Sequence, residues 1–421
     1  MQKLALAGLL IALPFYAPLA DDAKNGQPPG WADGIKLSAQ VEAGGTYNPS
    51  NPDDGKNFGR LFDDKADGFL LNQLLLTAAR PMDPAVKGYD YGFKLQGMYG
   101  TDARYTHFLH EFQNASTGQN QFDIVEANVQ MHTPWFTDGG FDIKAGQYVT
   151  LEGAETIDPS TNYLYSHSYI FNFGIPLKHT GVLTTLHATP MLDLYAGVDT
   201  GVNTWFGNGD NNDAWAFHGG VGLNLLDGKL TSLATTHIGP ENAEDAVRNG
   251  LLPPTVHVNS EWRELSDITT TWKVNDKLTL VNDLNWIHDD TLNAGRSANA
   301  YGVAQYGVYV LNDMFALVVR GEIFRDADGV FVAQSGNNVD FVRAEEGLPP
   351  TSARSVTSGK TTYGALTLGV NIKPALNIPQ LSTFLIRPEL RYDRSLNGTT
   401  PFNDSKDRDM FTAATDIVIA F

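Results

Sequence analysis

The sequence predicts an all-β protein, an antiparallel transmembrane up-and-down β-barrel of about 16 strands. Three observations lead to this prediction. Segments in which apolar and polar residues alternate with a period of two recur along the 421-residue chain, the connections between these segments are sorted by length, and the last residue is an aromatic in register with an apolar face. A chain of this length is long for one soluble domain and ordinary for one large barrel.

The final predicted strand, residues 410–421, shows this alternation most clearly. Its apolar side carries Phe411, Ile417, Ile419 and Phe421, while Asp416 lies on the other side. A soluble domain usually frays at its C-terminus, whereas this stretch ends on a large aromatic residue of the apolar side. Taken alone, it fits either the closing strand of a barrel in lipid or the edge strand of a soluble all-β domain.

Fifteen further segments are predicted as strands. A tight hairpin turn is expected at Asp227-Gly228, because this pair favours positive φ angles. The facing of the second segment is ambiguous, because Asn72-Gln73 is followed by a run of Leu. The predicted strands cover residues 35–43, 69–80, 91–99, 125–132, 141–145, 177–188, 192–203, 214–225, 229–239, 263–274, 277–288, 299–311, 314–325, 360–372, 382–394 and 410–421.

Eight long polar connections alternate with seven short ones along the chain. A β-sandwich has no reason to sort its loops by length, whereas membrane barrels join an even number of strands by short turns on one side and long loops on the other. The strands are expected to close into a barrel, because lipid offers no hydrogen-bond partner to an open strand edge. We therefore predict a barrel over residues 35–421 with extracellular loops and periplasmic N- and C-termini, and one misread pair of strands would give about 14 or 18.

The first 20 residues have the layout of a secretory signal. Lys3 precedes an apolar run that lasts to Ala20, and charge returns at Asp21. Cleavage after Ala20 would place Pro18 where a small residue is preferred, so the exact cut stays open, and a retained N-terminal anchor is the alternative. We predict a signal peptide at residues 1–20 and a short N-terminal segment at residues 21–34.

Composition excludes some classes of protein. Removing residues 1–20 takes away one Lys and leaves 28 Lys and Arg against 48 Asp and Glu. An acidic chain is unsuited to nucleic acid, because phosphate binding needs a basic surface. The sequence has no Cys, so the exported chain does not depend on disulfides.

Short motifs in the middle and at the end of the chain carry a family resemblance. One of them is Lys-Ala-Gly-Gln-Tyr at residues 144–148, and the others lie at residues 152–155, 165–169, 176–181, 301–306, 311–313, 324–329 and 387–393. In this order the chain resembles the putative beta-barrel porin-2 (OmpL-like) family of bacterial outer-membrane proteins. The resemblance implies an outer-membrane location and porin-like transport, and it supplies no catalytic residues.

The third long connection, residues 152–176, is a candidate pore constriction. In general porins the third extracellular loop folds into the lumen and narrows it, so we expect the same of this segment by analogy. It carries Glu152, Glu155 and Asp158, together with aromatic residues that could pack it against a wall. The alternative is a loop that stays outside the barrel.

Alternation also predicts which charged residues point into the lumen. They are Glu126, Asp142, Lys144, Arg320, Glu322, Arg387, Glu389 and Arg391. An arginine row facing acidic loop residues would create a transverse field that sorts solutes by charge. The alternative is that these residues pair across strands and stiffen the wall. Inward acids outnumber inward bases, so we predict a weak cation preference.

The function that best fits these patterns is passive diffusion of small hydrophilic solutes or ions through an outer-membrane porin-like channel. A non-conducting structural barrel or adhesin is the alternative, followed by an outer-membrane hydrolase. No catalytic residue, metal site or cofactor is predicted. Expected partners are outer-membrane lipid and lipopolysaccharide, the barrel assembly machinery through Phe421, and two further copies of the chain in a homotrimer.

Overall fold

Strands dominate the computed structural model, which describes residues 30–83, 86–112, 118–352, 356–376 and 378–421. Within these residues, sixteen antiparallel strands close into one barrel in chain order. They are β1 (Lys36–Tyr47), β2 (Gly68–Arg80), β3 (Asp90–Gly100), β4 (Gln121–Thr133), β5 (Phe141–Val149), β6 (Lys178–Thr189), β7 (Leu192–Asp199), β8 (Ala216–Leu225), β9 (Leu230–Gly239), β10 (Arg263–Lys273), β11 (Leu278–Asp289), β12 (Ala298–Val310), β13 (Phe315–Asp326), β16 (Thr361–Ile372), β17 (Thr383–Ser395) and β18 (Asp409–Ala420).

The long connections contain short elements of their own. In the connection between β13 and β16, where no strand is predicted, the two-residue strands β14 (Ala333–Gln334) and β15 (Val356–Thr357) pair with each other. The helices are α1 (Ala103–Thr106), α2 (Tyr169–Phe173), α3 (Glu244–Arg248), α4 (Asp340–Glu345) and α5 (Phe402–Ser405). Among the described residues, no helix has the length and apolar character needed to cross a membrane.

The barrel is closed by its first and last strands, which confirms the predicted fold class. β1 and β18 pair antiparallel from Gln40 opposite Ala420 to Tyr47 opposite Ala413. The backbone N–H of Phe421 donates to the carbonyl of Ala39 at 2.8 Å, so the pairing extends to the last residue. Among the described residues, each of the sixteen strands pairs with a neighbour on both sides, as lipid requires.

The predicted strand positions are confirmed, with the largest differences, four residues each, at the ends of β1, β5 and β7 and at the start of β4. β1 continues through Gly44 and Gly45, because pairing with both neighbours outweighs the weak strand preference of glycine. β7 ends at Asp199, earlier than predicted, where Gly201 and Asn203 take positive φ angles and turn the chain. Long and short connections alternate as predicted, although residues 290–297 form a shorter link than the turns at residues 81–89 and 373–382.

A β-bulge explains why the facing of β2 was ambiguous. Glu42 pairs with Gln73 while Ala43 pairs with Leu71, so Asn72 is an extra residue on this strand. Asn72 and Gln73 are consequently both buried inside the barrel. The bulge shifts the alternation by one residue, which a strict period of two cannot anticipate.

Exposed aromatic residues form two bands on the outside of the barrel. This arrangement marks the two interfaces of a membrane barrel. At the end with long connections the band includes Tyr47, Phe69, Phe122, Trp215, Trp262 and Tyr301, and at the end with short turns it includes Tyr91, Phe136, Trp272, Tyr309, Phe315 and Phe421. The predicted signal peptide at residues 1–20 lies outside the described residues, and Trp31–Gly34 forms one 3-10 turn before β1.

Candidate functional site

The connection at residues 150–177, between β5 and β6, is seated against the inner wall of the barrel and is called the inserted loop below. Its backbone N–H groups donate to carboxylates from four wall strands, which fixes the loop without using its side chains. The donor–acceptor distances are 3.2 Å from Gly153 to Asp267, 3.1 Å from Ala154 to Asp283, 3.0 Å from Tyr165 to Glu389 and 2.7 Å from Tyr169 to Glu322.

Three buried arginines on β13 and β17 donate to backbone carbonyls of this loop, and they are called the arginine wall below. Arg320 donates to the carbonyl of Ser166 at 2.6 Å, and Arg391 donates to that of His167 at 2.6 Å. Arg387 donates to the carbonyls of Pro159 at 2.9 Å and Asn162 at 2.8 Å. The planar guanidinium suits this task, because it offers five donors in a fixed geometry.

Each arginine of this wall is also paired with carboxylates. Arg320 contacts Glu155 at 2.7 Å and Glu322 at 3.1 Å, while Arg391 contacts Asp393 at 2.9 Å and Glu322 at 3.2 Å. Arg387 contacts Glu42 at 2.9 Å and Asp416. All three arginines are at most 1% exposed. A buried charge is tolerated only when it is paired and hydrogen-bonded, and here both conditions hold.

Glu155 joins the inserted loop to the arginine wall. Burial favours its neutral form, but the charge of Arg320 and hydrogen bonds from His167 and the Ser168 N–H outweigh burial and lower the pKa of Glu155 to about 2. Tyr306 adds a hydrogen bond from its hydroxyl at 2.8 Å. Glu155 is therefore a fixed anion that locks the loop to the wall.

Small residues on the wall make room for the large side chains of the inserted loop. A Cβ on Gly44 would lie 2.7 Å from the ring of Tyr165, and one on Gly302 would lie 2.5 Å from Ile170. Tyr165, Tyr169, Ile170 and Phe171 of the loop are all buried. Glycine at these wall positions thus permits close packing of loop against strand.

The part of the wall formed by β10 and β11, close to the arginine wall in the strand order, presents acids that have no basic partner among the described residues. Glu152 is 2% exposed, and both of its carboxylate oxygens lack a hydrogen-bond partner among the described residues. Burial, together with the charges of Asp199 and Asp283, raises the pKa of Glu152 well above its usual range. Asp267 and Asp283 are also buried, and within the described part of the chain neither forms an ion pair with Lys or Arg.

A cavity of about 400 Å³ lies between this side of the barrel and the inserted loop. Glu152 and Glu155 line it from the loop. The wall contributes mainly β9, β10 and β11, through Thr231, Leu233, Thr269, Thr271, Lys273 and Val281. The lining combines apolar side chains with hydroxyl groups, two acids and Lys273, a mixed surface of the kind that binds small solutes.

The remaining predicted site residues lie elsewhere in the lumen. Glu126 pairs with Lys94 at 2.6 Å, and Lys144 lies near enough for its charge to act on Glu126. Asp142 contacts His132 at 2.6 Å and His187 at 3.2 Å. In the inserted loop, Asp158 accepts from Gln40 at 2.8 Å and from the Ser160 N–H at 3.0 Å. These residues are paired locally and lie apart from the arginine wall in the hydrogen-bond network.

Two arginines in other connections were not predicted as site residues. Arg60 is buried and contacts Asp63 and Asp393, each at 2.6 Å, while Arg104 contacts Asp64 at 2.8 Å. A sequence signal was available, because Phe58, Leu61 and Phe62 around Arg60 are unusually apolar for a solvated loop. All three are buried in one apolar cluster with Tyr169 and Phe171 of the inserted loop. The end of the lumen with long connections is therefore filled by several packed loops.

Comparison with known proteins shows the family of the chain. The family model described as "Putative beta-barrel porin-2, OmpL-like" matches residues 34–421. The chain belongs to this family. Because the match spans the whole barrel, inserted loop included, it establishes an outer-membrane β-barrel of porin type. No curated protein is matched by the sequence.

Several solved porin structures share the fold. An anion-selective porin from Comamonas acidovorans is 10% identical with a TM-score of 0.56, and the match covers 92% of this chain and 99% of that one. The outer membrane channel DcaP of Acinetobacter baumannii is 11% identical with a TM-score of 0.53, covering 92% and 97%. OprB of Pseudomonas putida is 14% identical with a TM-score of 0.52, covering 92% and 94%. At these identities the similarity concerns the fold alone.

Proposed function

We propose that the chain is a diffusion channel for small hydrophilic solutes or ions, and that residues 152–176 of the inserted loop form its constriction. The observation that carries this proposal is the cavity of about 400 Å³ between the loop and strands β9–β11. The arginine wall seals the loop to the strands on the other side, so the passage follows the acidic side of the lumen. The long connections would face the cell exterior, and both termini would face the periplasm.

Acids outnumber bases along this route, because Glu152 and Glu155 line the cavity with Lys273 as the base among its described lining residues, and this balance supports a cation preference. Glu152 lines the cavity, and Asp267 and Asp283 lie behind the adjoining loop backbone without a basic partner among the described residues. An acid that is buried and unpaired binds either a proton or a passing cation. The shared fold with a porin described as anion-selective does not bear on this preference, because lining charges set selectivity.

Planar-bilayer recording under a KCl gradient tests both parts of this proposal. We expect discrete channel openings with a reversal potential displaced to the cation side. A reversal potential on the anion side would contradict the cation preference and leave the channel itself intact. A panel of sugars added to the same bilayer would show which neutral solutes reduce the ion current by entering the passage.

A non-conducting structural barrel is the second candidate function. The observation in its favour is the apolar cluster that joins Phe58 and Phe62 to Tyr105, Tyr169 and Phe171 across several connections. Such packing fills the lumen at the end with long connections. Absence of conductance from correctly folded protein would favour this candidate over the channel. A hydrolase function has no supporting geometry in the residues discussed above, and a chromogenic ester assay on the purified protein would test it.

We further propose that Phe421 is read by the barrel assembly machinery. Phe421 is half-exposed on the outer face, at the seam where β18 meets β1. Deleting it should reduce the amount of protein in the outer membrane more than the conductance of the molecules that insert. Normal outer-membrane levels of the truncated chain would contradict this role.

A homotrimer in contact with lipid and lipopolysaccharide is the assembly we propose. One solved structure with a TM-score of 0.51 and 11% identity is described as a trimer form of OmpT from Vibrio cholerae. Mass measurement of the detergent-solubilised protein should give three chains per particle. A single chain per particle would contradict the trimer and leave the channel proposal unaffected.

A further inference from the structure

Three histidines and an aspartate from four adjacent strands meet inside the barrel wall. His179 lies on β6, Asp199 on β7, His218 on β8 and His237 on β9, and each is 0% exposed. We call these four residues the histidine cluster. The register brings them together, because His218 and His237 are direct cross-strand partners. Inward-facing residues at one level of neighbouring strands necessarily become neighbours in a barrel.

The cluster has the geometry of a small metal site. One ligand atom each from His179, Asp199 and His218 can be chosen so that all lie within 4.8 Å of one another. The ring of His179 lies 4.5 Å from that of His218 and 4.7 Å from that of His237, measured between centroids. A single ion at the centre of three such atoms would be within reach of each.

His218 gives an independent indication of a ligand. Both of its ring nitrogens are buried without a hydrogen-bond partner among the described residues. A neutral imidazole carries one N–H donor and one acceptor nitrogen, and buried polar groups are normally satisfied. One carboxylate oxygen of Asp199 and Nδ1 of His237 also lack a hydrogen-bond partner. These unpartnered atoms lie in one cluster, which indicates a ligand at its centre.

The surrounding charges favour a cation over a neutral or anionic ligand. Within the described residues, Asp199 forms ion pairs only with His179 and His237, and neither Lys nor Arg reaches it. Glu241 lies beside His237 and adds a second carboxylate to the neighbourhood. Imidazole and carboxylate together are the donor set that borderline divalent metals such as zinc prefer.

We propose that His179, Asp199 and His218 bind one divalent transition-metal ion of the zinc class. His237 is a positioning residue, since its Nε2 lies 2.9 Å from one oxygen of Asp199 and directs the other oxygen towards the site. Gly181 leaves room for this arrangement, because a Cβ there would lie 2.7 Å from the Cβ of Asp199. The ion would join β6, β7 and β8 across their ladders.

The site would also couple the wall to the inserted loop. Nε2 of His179 lies 3.2 Å from the hydroxyl of Thr150, and Thr150 lines the cavity next to Glu152. An ion bound to the cluster would therefore fix the start of the inserted loop beside the proposed passage. Both ring nitrogens of His179 have hydrogen-bonding neighbours, since its Nδ1 lies 3.3 Å from the carbonyl of Gly201, so the unpartnered ring is that of His218. A second group of acids and histidines has no comparable ring, because both ring nitrogens of His187 contact Asp142 and Asp193.

Zinc binding by the full-length, detergent-folded protein tests the proposal. The protein is stripped with a chelator and titrated with Zn²⁺ against a chromophoric competitor, and metal content is measured by mass spectrometry. We expect one Zn²⁺ per chain, and Co²⁺ in place of zinc should give the intense visible bands of four-coordinate nitrogen and oxygen ligation. A chain that binds no stoichiometric Zn²⁺ would overturn the proposal, and water would then be the partner of these atoms.

Matched variants locate the binding. His218→Asn and Asp199→Asn should each abolish stoichiometric binding, while His237→Gln should keep the stoichiometry and lower the affinity about 10–100-fold. His187→Gln and His288→Gln are the controls and should bind as the unmodified protein does. Equal binding by His218→Asn would overturn the assignment. Heat-dependent gel migration confirms folding of each variant, and the Co²⁺ spectrum of the unmodified protein decides the question if both ligand variants fail to fold.

Discussion

The two sides of the lumen hold the same loop in different ways. On the side of β13 and β17, the arginine wall donates to loop carbonyls and pairs with carboxylates, so the charges are matched. On the side of β10 and β11, Asp267 and Asp283 accept from loop N–H groups and have no basic partner among the described residues. The first side is closed by its ion pairs, and the second leaves a cavity of about 400 Å³.

Two glutamates of the inserted loop show what this difference means. Glu155 faces Arg320, and Glu152, three residues earlier, faces the acidic side. After the effect of burial, the arginine lowers the pKa of Glu155 to about 2, whereas burial and neighbouring acids raise the pKa of Glu152. The same residue type thus anchors the loop in one place and remains available to protons or cations in the other. We infer that anchoring and permeation are assigned to different parts of the wall, β13 and β17 on the one hand and β9–β11 on the other.

Among the variants that test this comparison, Arg320→Met should have the largest effect on stability and conductance. The change leaves Glu155 buried beside the wall without its strongest partner, and such losses cost about 3–5 kcal/mol. We expect the free energy of unfolding in detergent to fall by this amount, and the single-channel conductance to rise and become noisier as the loop detaches.

Arg394→Met is the matched control for Arg320→Met. Arg394 pairs with Asp409 at 3.2 Å, but both side chains are nearly half exposed, so stability and conductance should stay unchanged. If Arg320→Met behaved like this control, the arginine wall would have no anchoring role.

Acidification should weaken the same anchor to a smaller extent. The pKa of Glu155 in the docked loop lies below its ordinary value of 4.5, so docking is fully supported above that pH and is lost as the pH falls towards about 2. The ionised form of Glu155 contributes about 3 kcal/mol to the stability of the docked loop. Conductance recorded from pH 6 down to pH 2 should rise over this window.

Glu155→Gln separates this effect from general acid unfolding. The amide cannot ionise, so the variant should show a weaker anchor at neutral pH and no further change in conductance over the same acid window. A variant that followed the unmodified protein through the window would assign the transition to other carboxylates.

The smallest expected effect concerns Glu152. Its pKa is raised in the docked loop, so the carboxyl loses its proton only as the pH rises above the ordinary range for glutamate. The cation preference, measured as a reversal potential under a KCl gradient, should therefore grow as the pH is raised above the ordinary range for glutamate. Glu152→Gln should remove this growth, and a pH dependence that persists in Glu152→Gln would exclude Glu152 as its source.

The site residues that the sequence predicted are those on strands, where apolar and polar residues alternate. Alternation placed Arg320, Arg387 and Arg391 on inward faces, and all three are buried inside the barrel. Their partners were less accessible to sequence reasoning, since Arg387 pairs with Glu42 from the other end of the chain. Whether the arginines would sort solutes or bind a loop depended on the path of residues 150–177, which has no periodic signal.

Sequence alone determined the strands, their number, the alternation of long and short connections, and the family. The strands and their connections follow from a period of two and from turn chemistry, both of which act between near neighbours in the chain, whereas the family follows from the short motifs that the chain shares with it. The tertiary structure decided the bulge at Asn72, the seating of the inserted loop and the histidine cluster. The physical reason is that barrel closure makes neighbours of residues that are distant in sequence, such as His179 and His237, and their register is fixed only when every strand is paired.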